Sequence, residues 1–236
     1  LSGVTGIGLM TIARHIASKL SSTSVRDVIP DEKGTITIET IRGLYRLTRT
    51  HRDEPLVIII DDADAMGREA QNALLKLLEE PVENVYFILT SHAPQRLLAT
   101  ILSRVQHVAL LPITAEQSAK LIVSDAAKAQ LLFLGQGLPA ELYRLQNDER
   151  YFEQQSNQMK AARNFLEGSA YDRLLLAKEY GADRQSAGQF LNAVTRLLSF
   201  MILAKQQPQL VSSLEKVTTV RERLEQNAHV KTQLTY

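Results

Sequence analysis

The hydrophobic positions of the chain fall into two regimes that meet at Pro112. Before it, short apolar runs alternate with helical spacings. A glycine-rich turn (Gly3, Gly6, Gly8) opens a stretch in which Ile12, Ile16 and Leu20 recur every four residues, the spacing of one helix face. Ser21 to Ser24 reads as a loop. Thr35 to Ile38 is a short β-branched run and predicts a strand, and Ile41, Leu44, Tyr45 and Leu47 predict a helix after it. Leu56-Val57-Ile58-Ile59-Ile60 is apolar without a break. A strand covered on both faces has this signature, because neither set of alternating side chains meets water. Val85-Tyr86-Phe87-Ile88-Leu89 predicts a second such strand and Val105 to Leu110 a third. Between them, Ala70 to Glu80 is rich in Ala, Leu, Lys and Glu, which lose little rotamer freedom in a helix. It stops at Pro81, which has no N–H to donate. Strands alternating with helices predict βαβ units, a parallel sheet with helices on both sides.

After Pro112 only helical patterns remain. Thr114 with Gln117 three residues later predicts a capping box. Two helices lead to Gly135, an expected C-cap, and Pro139 is expected to start a third at the position where a missing N–H costs nothing. Further on, breaks are expected at Gly168, near Gly181 to Asp183, and at Pro208. Leu191, Val194, Leu197, Leu198, Met201 and Ile202 form a wide apolar stripe on one long helix, suited to burial in its own bundle or against a partner. The expected organisation is an α/β domain over residues 1–112, a small helical lid over 113–147 and an all-α domain over 148–236.

Composition narrows the function classes. Of 236 residues, 44% are hydrophobic and 22% charged, which suits a folded globular chain and not a disordered one. Basic residues number 27 and acidic ones 26, for a net charge of +1, and neither sign gathers in a block. A strongly basic nucleic-acid binder is thereby excluded as a reading of the whole chain. Without Cys, disulfides, Cys-based zinc sites and thiol catalysis are excluded too. No apolar run approaches the length of a membrane-spanning helix, and no signal-peptide pattern opens the chain, so no membrane partner and a cytoplasmic location are expected. The sequence begins at Leu1 inside a glycine motif, so a further amino-terminal piece is expected. The five His show no i, i+4 pair with a Glu between them, as a zincin site requires. No Gly-x-Ser-x-Gly elbow surrounds Ser91-His92.

Two segments carry candidate chemistry. Gly3-Val4-Thr5-Gly6-Ile7-Gly8-Leu9-Met10 has the glycine frame of a phosphate-binding loop before a helix, where backbone N–H groups can wrap an anion. That chemistry also needs a Lys after the last Gly to neutralise the β- and γ-phosphates, then a Ser or Thr for Mg²⁺. Here Leu9 and Met10 stand in those places, and Thr11 is one residue late. A plain strand-to-helix turn explains the glycines equally well. Asp61 and Asp62, directly after the apolar run, fit the Walker B pattern, whose first carboxylate supports Mg²⁺ and whose second, usually Glu, activates water; Asp62 is one methylene shorter. Acids that merely end a strand and begin a helix are the alternative, since carboxylates are favourable at a helix N-terminus. Gly3, Gly6, Gly8, Thr11, Asp61 and Asp62 are thus the candidate nucleotide-site residues, a degenerate set open at most to weak ATP or ADP binding through the backbone. No metal site is expected.

Longer motifs point to a family. Ile60-Asp61-Asp62-Ala63-Asp64-Ala65-Met66, then Ala70-Gln71-Asn72-Ala73-Leu74-Leu75-Lys76-Leu77-Leu78-Glu79-Glu80-Pro81, resembles the clamp-loader branch of the AAA+ ATPases. Phe87-Ile88-Leu89-Thr90-Ser91 and Leu97-Leu98-Ala99-Thr100-Ile101-Leu102-Ser103-Arg104 do as well, the last resembling the family's Ser-Arg-Cys motif with Val105 in place of Cys. Gly137-Leu138-Pro139-Ala140 resembles the start of the sensor-2 helix, and Arg223 to Leu234 the last collar helix. Within the branch, the missing P-loop Lys, Asp62 in place of Glu and the wording of Gln95 to Thr100 are most similar to the delta-prime subunits of bacterial DNA polymerase III. Many of those carry a four-Cys zinc module where Ser21 to Lys33 stands here without Cys, so no zinc is expected.

The resemblance implies an α/β AAA+ P-loop core followed by the helical lid and a collar over about 148–236. It also implies a place in a five-subunit ring that opens a sliding clamp and loads it on primed DNA at the expense of ATP. In such a ring the delta-prime subunit is a rigid, non-hydrolysing member beside gamma/tau and delta subunits. Arg104 is expected to reach the ATP of a neighbour as an arginine finger, the alternative being an intramolecular ion pair at the strand end. Ser91 falls at the sensor-1 place and Arg144 on the sensor-2-like helix. Arg42, Arg46, Arg49 and Arg52 form a stripe that is either a solvated face or a guide for DNA phosphates. Two other readings stand beside this one: a gamma/tau-like subunit that binds and hydrolyses ATP, and an AAA+-derived scaffold unrelated to replication.

Overall fold

A computed structural model of the chain describes residues 1–20, 24–48, 53–79, 82–123, 127–204 and 206–225. It divides into two compact units, Leu1–Gln146 and Asn147–Tyr236.

The first unit is built on three parallel strands, β1 (Val25–Val28), β2 (Leu56–Ile60) and β3 (Val85–Leu89), in the order β1-β2-β3. Val57 lies opposite Val25 on one side and Tyr86 on the other. Parallel pairing continues past β3, because Ser2 bridges both Ser91 and Ala109. The Ser2 N–H donates to the Val108 carbonyl (2.9 Å) and the Leu110 N–H to the Ser2 carbonyl (2.7 Å). The first residues therefore run between the end of β3 and the 108–110 segment. Every residue of β2 is buried, as its unbroken apolar run requires. Val57 and Ile59 meet Ala13 and Ala17 of α1 (Leu9–Leu20) on one face. Ile58 and Ile60 join Ile41 and Leu44 of α2 (Ile38–Thr48) and Ala70, Leu74 and Leu77 of α3 (Arg68–Glu79) on the other.

Four details depart from the sequence pattern. Helix α1 buries Leu9, Ala13 and Ala17, while Ile16 and Leu20, expected on its inner face, are exposed. A spacing of four recurs on every face of a helix, and the small alanines are what let α1 lie close to the sheet. Thr35 to Ile38 is no strand: Ile36 makes a single parallel bridge to Met66, and α2 starts at Ile38. The strand of that region is β1, whose Arg26 and Asp27 hide it from a hydrophobicity pattern; it lies at the sheet edge, and only Val28 is fully buried. Val105 to Leu110 contributes one bridge, at Ala109, because the segment beside it is the short stretch around Ser2. Of the expected loop, residues 21–23 lie outside the described residues, as do Glu80 and Pro81 at the expected end of α3.

After α4 (Ala99–Leu102), three helices complete this unit: α5 (Ala115–Leu121), α6 (Lys128–Gly135) and α7 (Pro139–Asn147). The capping box of α5 forms as the sequence predicts, with the Gln117 N–H donating to Thr114 Oγ1 (3.2 Å) and the Thr114 N–H to Gln117 Oε1 (2.9 Å). Gly135 is the last residue of α6, and the reversal after it uses Gln136 (φ 46°) and Gly137 (φ 75°). Glycine at 135 has a packing reason: a Cβ there would collide with Leu142 Cδ2 of α7.

The second unit consists of α8 (Glu149–Glu167), α9 (Ala170–Tyr180), α10 (Arg184–Leu203) and α11 (Val211–Glu225). Its breaks fall at Gly168, Gly181 and a 3₁₀ turn at Pro208–Leu210, as the sequence pattern predicts. Asp148, Ser169 and Asp183 cap the three helices that follow them, each accepting a first-turn backbone N–H. Leu191, Val194 and Leu198 of the apolar stripe are buried within this unit, while Leu197, Met201 and Ile202 are half-buried. Phe190 anchors the core, edge-on to Phe165 (centroids 5.4 Å apart) and stacked on Tyr180 (4.6 Å). The end of the expected collar helix, residues 226–234, lies outside the described residues. Among the described residues no helix is long and apolar enough to cross a membrane.

Two glycine substitutions separate the packing reason from helix propensity. Gly135→Ala is expected to destabilise the chain by about 1–3 kcal/mol, because Leu142 must move. Gly188→Ala, in the interior of α10 with nothing within 4 Å of its new methyl, is expected to stabilise by up to about 1 kcal/mol. Urea unfolding followed by circular dichroism measures both.

Candidate functional site

The glycine loop has the backbone of a strand-to-helix turn. Its Ile7 N–H donates to the Val4 carbonyl (3.2 Å). Gly6 (φ 88°) and Gly8 (φ 96°) adopt conformations that side chains disfavour. Helix α1 then starts at Leu9, and the Ile12 N–H donates to the Gly8 carbonyl (3.0 Å). What differs from a phosphate seat is where the next groups go. Leu9, in the lysine place, is 3% exposed, and Met10, in the hydroxyl place, packs against the core of Ala13, Ala17, Val57 and Ile59. Leu9 is absorbed by the interior, and Met10 lies half-buried against it. The Gly6 carbonyl accepts the N–H groups of Ala140 (3.0 Å) and Glu141 (3.1 Å), in the first turn of α7. Such first-turn donors carry the partial positive charge that would hold an anion; here they hold the loop itself. Thr11 is exposed on α1, where it borders a cavity of about 460 Å³ whose walls, Ile7, Ile12, Leu121 and Tyr143 among them, are mostly apolar.

The acidic end of β2 is tied to the end of β3. Thr90 donates its hydroxyl to Asp61 Oδ1 (2.6 Å), and its Oγ1 accepts the Asp62 N–H (3.0 Å). Asp62 sits in the left-handed region (φ 47°, ψ 53°). Ser91, at the sensor-1 place, is buried and donates to Asp64 Oδ1 (2.5 Å), which also accepts the His92 N–H (3.1 Å). His92 Nδ1 lies 2.7 Å from the Gly3 carbonyl, a contact that requires the proton on Nδ1. Its Nε2 lies 3.7 Å from Asp62 Oδ1. His92 thus straps the glycine loop to the acidic strand end. Asp62 is raised above the ordinary carboxylate range, first by desolvation and then by the charge of Asp61, with Asp64 adding and His92 opposing. Desolvation pushes Asp64 up as well, but the Ser91 hydroxyl and backbone N–H groups outweigh it and leave Asp64 lowered. Among the described residues no three His, Asp or Glu side chains are placed to hold a metal ion.

Arg104 bonds its own turn and α3. Its Nη1 donates to the Thr100 carbonyl (2.9 Å) and its Nη2 lies 2.8 Å from Glu79 Oε1 of α3. Arg42 and Arg46 are exposed on α2, and Arg144 is exposed on α7. Arg49, Arg52, His51 and His229 lie outside the described residues.

Sequence reasoning missed the residues that connect these pieces. Gln71, inside the α3 motif, is 3% exposed. Its Nε2 donates to the carbonyls of Met66 (2.9 Å) and Arg96 (3.2 Å), and its Oε1 accepts the Leu98 N–H (2.8 Å). It pins the segment that leads to α4 and Arg104. The available signal was an amide placed three residues before Leu74, on the apolar face of the helix. His92 and Thr90 gave no such signal, since nothing local marks a residue that works across strands.

Replacing Gln71 with Leu leaves three backbone groups unpaired and is expected to cost about 1–3 kcal/mol in urea unfolding. Asp62→Asn has the opposite sign at neutral pH. A carboxyl raised in the folded state loses stability as the pH climbs through the carboxylate range, because the unfolded chain releases that proton first. The substitution is therefore expected to raise the melting temperature at pH 7, with the pH-dependent part of the gain vanishing below pH about 4. A melting series between those values measures it.

Residues 2–114 match the family described as DNA polymerase III, delta subunit. The DNA polymerase III subunit delta' of Pseudomonas aeruginosa is 43% identical over 95 residues, 38% of this chain and 29% of that protein. The subunit delta' of Yersinia pestis is 34% identical over 138 residues, 52% of this chain and 41% of that protein. The chain spans less than half the length of the curated relatives it matches first. Among solved structures, a DNA polymerase III gamma subunit-related protein of Thermotoga maritima superposes with a TM-score of 0.63 at 18% identity, covering 99% of this chain and 89% of that one. The RuvB Holliday junction branch migration motor of the same organism superposes with a TM-score of 0.53 at 16% identity, covering 87% and 68%. The chain has the fold of these solved structures, and by its sequence it resembles the clamp-loader subunits of DNA polymerase III, delta' among them.

Proposed function

We propose that the chain is a non-hydrolysing, delta-prime-like subunit of a DNA polymerase III clamp loader, which supports ATP-driven loading of a sliding clamp on primed DNA. The observation that carries the reading is the fate of the phosphate loop. A working loop sets an ammonium against the β- and γ-phosphates and a hydroxyl against Mg²⁺. In this chain Leu9 and Met10 face the interior, and the α7 amides already bond the Gly6 carbonyl. Asp62, the residue in the water-activating place, is one methylene short and spends its backbone N–H on Thr90. The loop thus offers a triphosphate neither the ammonium nor the hydroxyl, and hydrolysis falls to neighbouring gamma/tau subunits.

In this reading the chain contributes Arg104 to a neighbour's ATP. A guanidinium stays charged at any working pH and meets phosphate oxygens with a planar fork of donors. Fingers supplied in trans raise turnover by about 10³–10⁵. The partners that follow are gamma/tau and delta subunits, the sliding clamp, and primed DNA through the complex.

The test is reconstitution with gamma/tau and delta subunits. Arg104→Ala is expected to lower clamp- and DNA-stimulated hydrolysis at the adjoining site by roughly 10³-fold, and unchanged turnover overturns the role. The isolated chain is expected to release no phosphate from ATP; steady release would instead favour the gamma/tau-like ATPase.

A further inference from the structure

We infer that Glu79 is the resting partner of Arg104, a carboxylate that holds the guanidinium until a neighbour's triphosphate displaces it. The inference rests on the reading of Arg104 as a finger acting in trans, and it adds a control on that finger.

The contacts of Arg104 are of two kinds. The Thr100 carbonyl and the Ser103 hydroxyl belong to its own turn and accompany it wherever that turn goes. Glu79 comes from a different element, α3, and its Oε1 lies 2.8 Å from Nη2. The first set aims the guanidinium, and the second occupies it. Neither side chain is buried, Arg104 being 35% and Glu79 46% exposed. Exposed ion pairs are weak, because water solvates both partners when they separate. A buried pair would resist release, and an unpaired guanidinium would sample many directions. This pair does neither.

Chemistry sets the direction of the exchange. Glu79 is the last residue of α3, where the carboxylate faces the negative end of the helix dipole, so it gains from a nearby cation. Arg104 offers a carboxylate or a phosphate the same planar fork. An ATP γ-phosphate with its neighbours carries several negative charges and outcompetes one carboxylate, while ADP presents less charge at that end. Glu79 therefore sets the threshold at which Arg104 engages, and it biases engagement toward the triphosphate.

Two measurements test this. On the full chain alone, phenylglyoxal modification of Arg104 is followed by peptide mapping, with exposed Arg42 as the internal reference. Glu79→Gln is expected to speed the reaction at Arg104 by about two- to fivefold, the range that an exposed pair supports, and to leave Arg42 unchanged. Equal rates at Arg104 overturn the pairing. In the reconstituted complex, Glu79→Gln is expected to lower the ATP concentration for half-maximal hydrolysis by a similar factor. The double variant Glu79→Gln, Arg104→Ala is expected to match Arg104→Ala alone. If Arg104→Ala slows hydrolysis while Glu79→Gln leaves it unchanged or slows it, the control is overturned and the finger stands. If Arg104→Ala changes nothing, the finger reading fails and the control falls with it.

Discussion

The burial of β2 on both faces is the constraint from which the rest of the first unit follows. A strand with Val57 and Ile59 on one side and Ile58 and Ile60 on the other must be covered twice, so α1 takes one face and α2 and α3 the other. Parallel neighbours then place the carboxyl ends of β2 and β3 side by side. Asp61 and Asp62 emerge from one and Thr90, Ser91 and His92 from the other, within hydrogen-bonding reach. The pairing of Ser2 with Ser91 and Ala109 brings the glycine loop to the same end of the sheet. One apolar run therefore assembles three segments far apart in sequence.

At that end of the sheet, the polar groups of the loop, of α7 and of the strand ends bond one another. The α7 amides bond a loop carbonyl, the Asp61 carboxylate takes a threonine hydroxyl, Asp64 takes a serine hydroxyl, and a histidine bridges loop and strand. Each bond satisfies a polar group that partial burial would otherwise leave at a cost. The result is a seam of mutual hydrogen bonds between the glycine loop, α7 and the ends of β2 and β3. Directly after α4, Arg104 is held by its own turn and by the solvent-exposed carboxylate of Glu79.

Much of this was legible in the residues. The unbroken runs at 56–60 and 85–89 located β2 and β3; burial on both faces accounts for the first, whereas in the second, also expected to be covered on both faces, Tyr86 is exposed and Phe87 and Ile88 are only half-buried. The Thr114–Gln117 box, Pro139 and the breaks at Gly168, Gly181 and Pro208 marked helix ends through local bonds and fixed dihedrals, which any fold must respect. The edge strand β1 was invisible because an edge needs few apolar residues, and Arg26 and Asp27 face solvent in part. The inner face of α1 was misplaced because alanines at 13 and 17 weigh little in a hydrophobicity pattern yet permit the closest approach to the sheet.

By itself the sequence determined the alternation of strand and helix, the loss of the lysine and hydroxyl from the glycine loop, and the arginine after Ser103; these are matters of side-chain chemistry and near-neighbour spacing. Only the tertiary structure decided that Leu9 and Met10 turn into the core, that α7 bonds Gly6, that Gln71 and His92 join separate segments, and that Glu79 stands beside Arg104. Those pairs are separated by many residues or depend on which face of an element is covered, and spacing along a chain carries no information about which distant groups a sheet will bring together.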